Sequence, residues 1–211
     1  MNKKSLTLPT AVLAAALTLA GCASGSGGTT TTGTSSAPAS STAAPSGSTT
    51  AAAAEHNAAD TMFAQTMIPH HAQAVEMSDM MLAKKNIPAN VVALAERIKA
   101  AQAPEIETMT GWLRSWNEPT GAAAGHDMSS HGAGMGGMMG DDDMKKLDAA
   151  QGTEAAKLFL TQMTAHHQGA IMMAKTEEGS GQNPDAVALA KNIVTAQQKE
   201  IQEMKDLLAT L

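Results

Sequence analysis

The stretch FAQTMIPHHAQAVEM, residues Phe63–Met77, occurs a second time as FLTQMTAHHQGAIMM, residues Phe159–Met173. The histidine pairs 70–71 and 166–167 align at an offset of 96 residues (166 minus 70). Self-similarity at a fixed offset indicates that the chain contains two copies of one structural unit. We therefore predict repeat one at 57–116 and repeat two at 141–211.

The repeated stretch has the periodicity of a helix with one apolar face. Steps of four and three residues place Phe63, Met67, His70, Ala74 and Met77 on one face. Met67 lies three and four residues before the two histidines, so its thioether can approach both imidazoles. The second copy places the equivalent side chains in the same way: Phe159, Met163, His166, His167, Ala170 and Met173. Imidazole and thioether on one face outline a soft-metal site that favours Cu(I).

The alternative interpretation is structural. Methionine at helical spacing commonly fills a core, and a single histidine on an apolar face is commonly a hydrogen-bonded core residue. Packing alone does not require adjacent histidines at the same place in both copies. The duplication therefore favours metal binding.

A second repeated motif supplies polar partners for the histidines. The segments from Ala101 and Ala196 align at an offset of 95 residues and place a glutamine and a glutamate on an apolar face. Buried carboxylates are costly unless they are paired. We expect them to accept a hydrogen bond from the imidazole nitrogen that does not bind metal, with solvent exposure as the alternative. The residues are Gln102, Glu105, Gln197 and Glu200.

The segment between the repeats, residues 118–140, is rich in glycine, methionine and histidine. Its glycines disfavour a regular element. Histidine and methionine in an irregular segment suit capture of a soft ion, whereas a neutral linker is the alternative. The candidate ligands are His126, Met128, His131, Met135, Met138 and Met139.

The first 21 residues are predicted to be an export signal. Residues 1–21 carry a short positive region and an apolar stretch, followed by Cys22. This pattern resembles a bacterial lipoprotein signal, in which the cysteine is lipidated; an ordinary secretory signal is the alternative. Residues 22–54 lack large apolar side chains and are predicted to be a flexible tether. We expect a lipid-anchored protein of the cell envelope, in the periplasm or on the outer face of the cytoplasmic membrane.

Composition narrows the function of residues 55–211, which are enough for one domain. Without Lys3 and Lys4 the chain keeps 12 basic residues (14 less 2) against 20 acidic ones, so no nucleic-acid partner is expected. The only cysteine is Cys22, so thiolate chemistry in the folded part is not expected. Sixteen methionines accompany only four aromatic residues, two Phe and two Trp, which is an unusual balance.

Periodicity predicts four helices and no strand. They are expected over about 55–85, 88–116, 141–178 and 184–211, as two repeated antiparallel hairpins. Asn183 as cap and Pro184 at the first helical position mark the start of the last helix. The acidic triplet 141–143 favours the start of the third, because acidic groups stabilise a helix N-terminus.

These motifs resemble the CopM-like bacterial copper-binding family, also catalogued as domain-of-unknown-function family DUF 305. The pattern is Phe-x3-Met-x2-His-His-x5-Met, then Ala-Gln-x2-Glu-Ile-x2-Met, over about residues 57–211. The resemblance implies a ferritin-like four-helix bundle that binds copper and protects the cell envelope against it. It also implies Met67, His70, His71 and Met77 as one ligand motif, and Met163, His166, His167 and Met173 as the other. Asp60 matches a frequent acidic position of the family, whereas Ala156 in the second copy does not.

We predict a copper-binding lipoprotein that captures or buffers Cu(I), accepts Ag(I) and catalyses no reaction. A copper-delivery partner is compatible with this role. A rival interpretation is a ferritin-like redox enzyme with a carboxylate and histidine metal centre, but the chain lacks the Glu-x-x-His pairs of such centres. A third is a metal-free module that docks a partner through exposed methionines.

Overall fold

The computed structural model describes residues 55–121 and 136–211, and within these ranges the chain is all-α, as predicted. Five helices and no strand are found there. The helices are α1 (Ala58–Ala83), α2 (Ala89–Ser115), α3 (Asp141–Ala149), α4 (Gly152–Ser180) and α5 (Pro184–Leu208). No helix among the described residues is both long enough and apolar enough to cross a membrane. The predicted signal 1–21, Cys22 and the tether up to residue 54 lie outside these ranges.

The four long helices form two hairpins. Helix α1 packs along α2, and α4 packs along α5. The hairpins meet mainly through α1 and α4, the two helices that carry the histidine pairs. This arrangement places the two copies of the repeated motif side by side.

The prediction of one helix over 141–178 was wrong. The chain forms a short helix α3, leaves helical geometry at Ala150 and Gln151, and restarts as α4 at Gly152. Gly152 has a positive φ of 54°, a conformation that glycine adopts without strain. The break lets α3 fold back onto α1 and α4, where Leu147 is fully buried. Periodicity could not show this break because both pieces are helical.

Side-chain caps define the starts of two helices. Asn57 accepts hydrogen bonds from the N–H groups of Ala59 and Asp60 at the start of α1. Asn183 does the same for Asp185 and Ala186 at the start of α5, with Pro184 as the first helical residue. The predicted start of the last helix is therefore confirmed. Such caps each contribute about 1 kcal/mol.

The core consists of two apolar clusters at opposite ends of the hairpins. Cluster A lies where α1 and α5 end and α2 and α4 begin. Cluster B lies where α1 and α5 begin and α2 and α4 end. Cluster A includes Met77, Met81, Leu94, Ile98, Leu147, Phe159, Met163 and Met204. Cluster B includes Phe63, Met67, Met109, Leu113, Ala170, Ala174 and Ile193.

Candidate metal centre

The four repeated histidines form a polar layer between clusters A and B. His70 and His166 contact each other, with ring centroids 3.8 Å apart and planes tilted by 40°. His71 and His167 lie beside them, and all four side chains are fully buried. The sequence placed His71 at the edge of the apolar face, but the neighbouring helix α2 covers that edge.

Each hairpin supplies a carboxylate to one of the outer histidines. Nε2 of His71 lies 2.7 Å from Oε2 of Glu105 on α2, and Nε2 of His167 lies 2.7 Å from Oε2 of Glu200 on α5. These are the contacts expected from the repeated motif. Because a carboxylate only accepts hydrogen bonds, each Nε2 carries a proton, and in the neutral form of either ring Nδ1 is the nitrogen with the lone pair. The role of these carboxylates beside a metal remains a prediction.

A backbone carbonyl holds His70 in the same way. Nε2 of His70 donates to the carbonyl oxygen of Gly136 at 3.1 Å. Gly136 can approach because α4 has Gly169 beneath it: a Cβ at Gly169 would lie 1.2 Å from the Gly136 oxygen. Gly137 adopts a positive φ of 87° and runs close over the carbonyl of Ala165.

Sequence reasoning missed this contribution of Gly136 and Gly169. The available signal was a glycine inside α4 where the first copy has Gln73. Gln73 itself binds the same crossing segment, through hydrogen bonds with the N–H and carbonyl of Met139. The backbone of 136–139 is thereby fixed across α1 and α4 at the level of the histidines.

The histidine layer leaves five buried imidazole nitrogens without a hydrogen-bond partner among the described residues. They are Nδ1 of His70, His71, His166 and His167, together with Nε2 of His166. A buried polar atom without a partner destabilises the folded state by roughly 1–3 kcal/mol, so five such atoms in one layer are unusual. Buried imidazole nitrogens without a hydrogen-bond partner suit a metal ion that accepts imidazole ligands.

The glutamines of the second motif join this polar layer. Gln102 and Gln197 are each 3% exposed, which agrees with their predicted place on the apolar face. The side-chain nitrogen and oxygen of Gln102 and the side-chain oxygen of Gln197 also lack a partner among the described residues. The buried layer therefore contains more polar atoms than its own hydrogen bonds satisfy.

The predicted methionine ligands lie in different surroundings. Met67 and Met77 are fully buried in clusters B and A, as is Met163 in cluster A. Met173 packs at the edge of cluster B and is partly buried, and Met139 packs against cluster A. Met138 is also partly buried. Four further predicted ligands lie outside the described residues: His126, Met128, His131 and Met135.

Burial keeps the central imidazoles neutral. It lowers the pKa of His70 from 6.5 to about 4, although the Gly136 carbonyl opposes the shift. Burial also lowers the pKa of His166 to about 2, helped by repulsion from the other histidines. Both rings are therefore available as neutral ligands at physiological pH.

These pKa shifts predict acid lability of the metal-free protein. The unfolded chain takes up protons at His70 and His166 as pH falls below 6.5, whereas the folded core resists protonation. The free energy of unfolding should therefore decrease between pH 6.5 and 4. Urea unfolding with a chelator present measures it, and the variant His70→Ala with His166→Ala should show a flatter pH profile. Equal slopes in both proteins would contradict this explanation.

Within residues 55–121 and 136–211, no three His, Cys, Asp or Glu side chains are arranged to hold one metal ion. This statement concerns those four residue types and not methionine. Three of the four imidazoles therefore do not surround one point as they stand, and thioethers lie in the adjoining clusters A and B.

The fold and site define an all-helical protein with a buried histidine layer shared by two hairpins. The chain belongs to the family described as "Domain of unknown function (DUF305)", which it matches over residues 60–208. The predicted family is therefore confirmed. No curated protein matches the chain.

Solved structures of related proteins share this fold. A DUF305 protein from Streptomyces coelicolor, described as a candidate secreted protein, is 38% identical and has a TM-score of 0.66, with 72% of this chain and 93% of that chain covered. A DUF305 fragment from Deinococcus radiodurans is 30% identical, with a TM-score of 0.65 and coverage of 74% and 98%. CopM in its Cu(I)-bound form is 30% identical, with a TM-score of 0.59 and coverage of 72% and 96%. CopM has also been solved with Cu(II) and with Ag bound.

Proposed function

We propose that this protein binds copper in the histidine layer and captures or buffers it in the cell envelope. The observation that carries the proposal is the set of five unpartnered nitrogens in one buried layer. Similarity to CopM, which is solved with copper and silver, supports the same ions here.

The chain's own residues prepare these nitrogens for a metal. Glu105, Glu200 and the Gly136 carbonyl each hold one Nε2–H and leave the corresponding Nδ1 without a hydrogen-bond partner among the described residues. Such outer hydrogen bonds orient an imidazole ligand and increase its basicity. Because packed helices hold the rings, little ordering entropy is lost on binding.

Cu(I) is the oxidation state that we propose, with Ag(I) as a substitute. Thioethers are soft ligands, and Met67 and Met163 lie one turn before the histidine pairs in both copies. Met77 and Met173 follow the pairs at the same spacing. We propose Met and His together as the coordinating set.

The remaining features of the proposal concern architecture and location. We propose a ferritin-like bundle built from the two repeats, exported and anchored through a lipid on Cys22. The description of the Streptomyces coelicolor relative agrees with export. The protein would hold copper without turning over a substrate, and a delivery partner would exchange copper with it.

Metal analysis of the untagged protein tests this function. The full chain is purified without a histidine tag, loaded with Cu(I) under anaerobic conditions and compared with loading by Ag(I) and Fe(II). Copper or silver bound at fixed stoichiometry supports the proposal. Iron alone would favour a redox centre, and no tightly bound metal would favour a docking module.

Replacing Glu105 with glutamine should weaken Cu(I) binding by roughly 10- to 100-fold, because His71 loses a charged acceptor that orients it. Competition with a Cu(I) chelator measures the affinity. The control is Glu107→Gln, which removes an exposed carboxylate two residues away on the same helix. Equal affinities of the two variants would show that the Glu105 contact has no part in metal binding.

A further inference from the structure

All four histidines of the layer are fully buried, so a metal ion can reach them only if part of the protein moves. The layer lies between α1 and α4, with α2 against His71 and α5 against His167. Clusters A and B hold these helices together, so moving one of them would expose core side chains to water. The crossing segment, residues 136–139, is not helical and can move without separating the helices.

The crossing segment lies directly on the central pair of histidines. The carbonyl oxygen of Gly136 accepts the hydrogen bond from His70. The next residue runs over α4, where a Cβ at Gly137 would lie 3.1 Å from the Cα of His166. A cavity of about 320 Å³ in the groove between α1 and α4 has Gly136 in its wall. The backbone at Gly136 therefore separates this cavity from the ring of His70.

Gln73 of α1 fastens the other end of the crossing segment. Its side-chain nitrogen donates to the carbonyl oxygen of Met139 at 2.8 Å, and its side-chain oxygen accepts from the N–H of Met139 at 2.7 Å. Both hydrogen bonds go to the backbone, so they do not involve the side chain at position 139. Gln73 thus holds both polar backbone groups of one residue in the segment.

The duplicated sequence shows that the two copies have diverged at this position in a complementary way. At the offset of 96 residues, Gln73 corresponds to Gly169. The glutamine of the first copy binds the crossing segment, and the glycine of the second leaves the space that Gly136 occupies. Neither residue belongs to cluster A or cluster B, so core packing does not explain the pair.

We propose that the crossing segment controls the entry of copper to the histidine layer, and that Gln73 sets how often the segment opens. The inference rests on the proposed copper-binding function and adds a route of access to it. In the closed state the segment covers the central rings and Gly136 holds His70. When the Gln73 hydrogen bonds break, the segment can leave the groove by local opening, with the helices still packed.

Gln73 should affect the rates of copper binding more than the affinity. Its hydrogen bonds go to the backbone and not to a donor atom of the metal. Since the segment closes over the layer before and after binding, releasing it speeds loading and release by the same factor. Loss of the two hydrogen bonds should accelerate both by roughly tenfold and leave the affinity unchanged within about threefold.

The decisive variant is Gln73→Leu, which keeps side-chain size and removes both hydrogen bonds. The matched control is Gln65→Leu, about two turns earlier on α1, because Gln65 donates to the carbonyl oxygen of Pro119 and not to the crossing segment. Hydrogen exchange of the Met139 amide in the metal-free protein measures opening, since its acceptor is Gln73. Anaerobic transfer of Cu(I) to and from a coloured chelator, followed by absorbance, measures loading and release by the full chain.

We expect Gln73→Leu to show faster exchange of the Met139 amide and faster loading and release of tightly bound copper. The Gln65→Leu control should resemble the wild type. Gly169→Ala displaces Gly136 from His70, so it should also weaken binding by roughly 10- to 100-fold. Faster amide exchange with unchanged loading would overturn the inference, because copper would then enter elsewhere. Unchanged amide exchange would overturn it too, because Gln73 would not hold the segment.

The copper measurements separate this inference from the proposed function. The tight class is defined as the copper that His70→Ala with His166→Ala removes. If the wild type had no such class, the proposed function would fail and the inference with it. If the wild type had this class and Gln73→Leu loaded it at the wild-type rate, only the inference on access would fail.

Discussion

Replacing both His70 and His166 with alanine should lower Cu(I) affinity by more than about a hundredfold at neutral pH. The two rings are in contact at the centre of the layer and together supply three of its five unpartnered nitrogens. Loss of an outer hydrogen bond to a metal ligand already costs about 10- to 100-fold, so loss of two ligands should cost more. Competition with a Cu(I) chelator under anaerobic conditions measures the change.

The control for this variant is His56→Ala. His56 is a partly exposed histidine that stacks on Trp116, outside the polar layer. Its removal should leave Cu(I) affinity unchanged. Circular dichroism shows whether the double variant keeps its helices, because two buried side chains are truncated. A folded double variant with wild-type affinity would mean that the histidines are structural.

The burial of His70 and His166 could be predicted from sequence because helices convert spacing into position, whereas their contact across the two hairpins could not. Steps of three and four residues defined the apolar face on which His70 and His166 lie, and both are fully buried. The duplicated motif also paired each histidine helix with a glutamate helix, and the 2.7 Å contacts to Glu105 and Glu200 are present. Local periodicity was sufficient to predict these two histidine–glutamate contacts because each of them joins neighbouring helices of one hairpin.

Features that depend on contacts between the hairpins were not accessible. The approach of Gly136 to His70 requires Gly169 on the other hairpin, and no periodic pattern links these residues. The break before Gly152 likewise follows from the packing of α3 across α1 and α4. Both features arise where the chain crosses between the repeats.

The two ends of the duplicated fold have also diverged in polarity. At one end Asp60, Glu177 and Asn183 are buried together, and Asp60 accepts the N–H of Asn183 at 2.9 Å. The same positions in the other copy, at the offset of 96 residues, are Ala156, Met81 and Ile87. These three side chains pack in or against cluster A. Asp60, the acidic residue that Ala156 does not match, therefore ties α1 to the turn before α5 and is not a partner of the histidines.

From the buried polar residues at this end we predict that Glu177→Gln raises the free energy of unfolding of the metal-free protein. Burial, with the adjacent Asp60 carboxylate, raises the pKa of Glu177 from 4.5 to about 8. Burial also acts to raise the pKa of Asp60, but hydrogen bonds from Glu177 and from backbone N–H groups outweigh it and lower that pKa. Glu177 is therefore protonated in the folded state at neutral pH and ionised in the unfolded state.

The pH dependence of this gain follows from the difference in how the folded and unfolded states bind the Glu177 proton. Below pH 4.5 both states hold the Glu177 proton, and the raised pKa has no cost. As pH rises towards 8 the unfolded state gains from ionisation, and the folded state loses relative stability. A glutamine keeps a donor for Asp60 and cannot ionise. The variant should therefore gain about 3 kcal/mol at pH 7 and almost nothing at pH 4.

Urea unfolding of the chelator-treated protein at pH 4, 5, 6 and 7 measures this gain. Glu178→Gln, one position further along α4, is the matched control and should stay within about 0.5 kcal/mol of the wild type. A gain for Glu177→Gln that grows with pH identifies the buried carboxyl beside Asp60 as a group that lowers the stability of the folded protein. A variant that is less stable than the wild type at pH 7 would instead show that Glu177 is ionised in the folded protein, so that its charge contributes to stability.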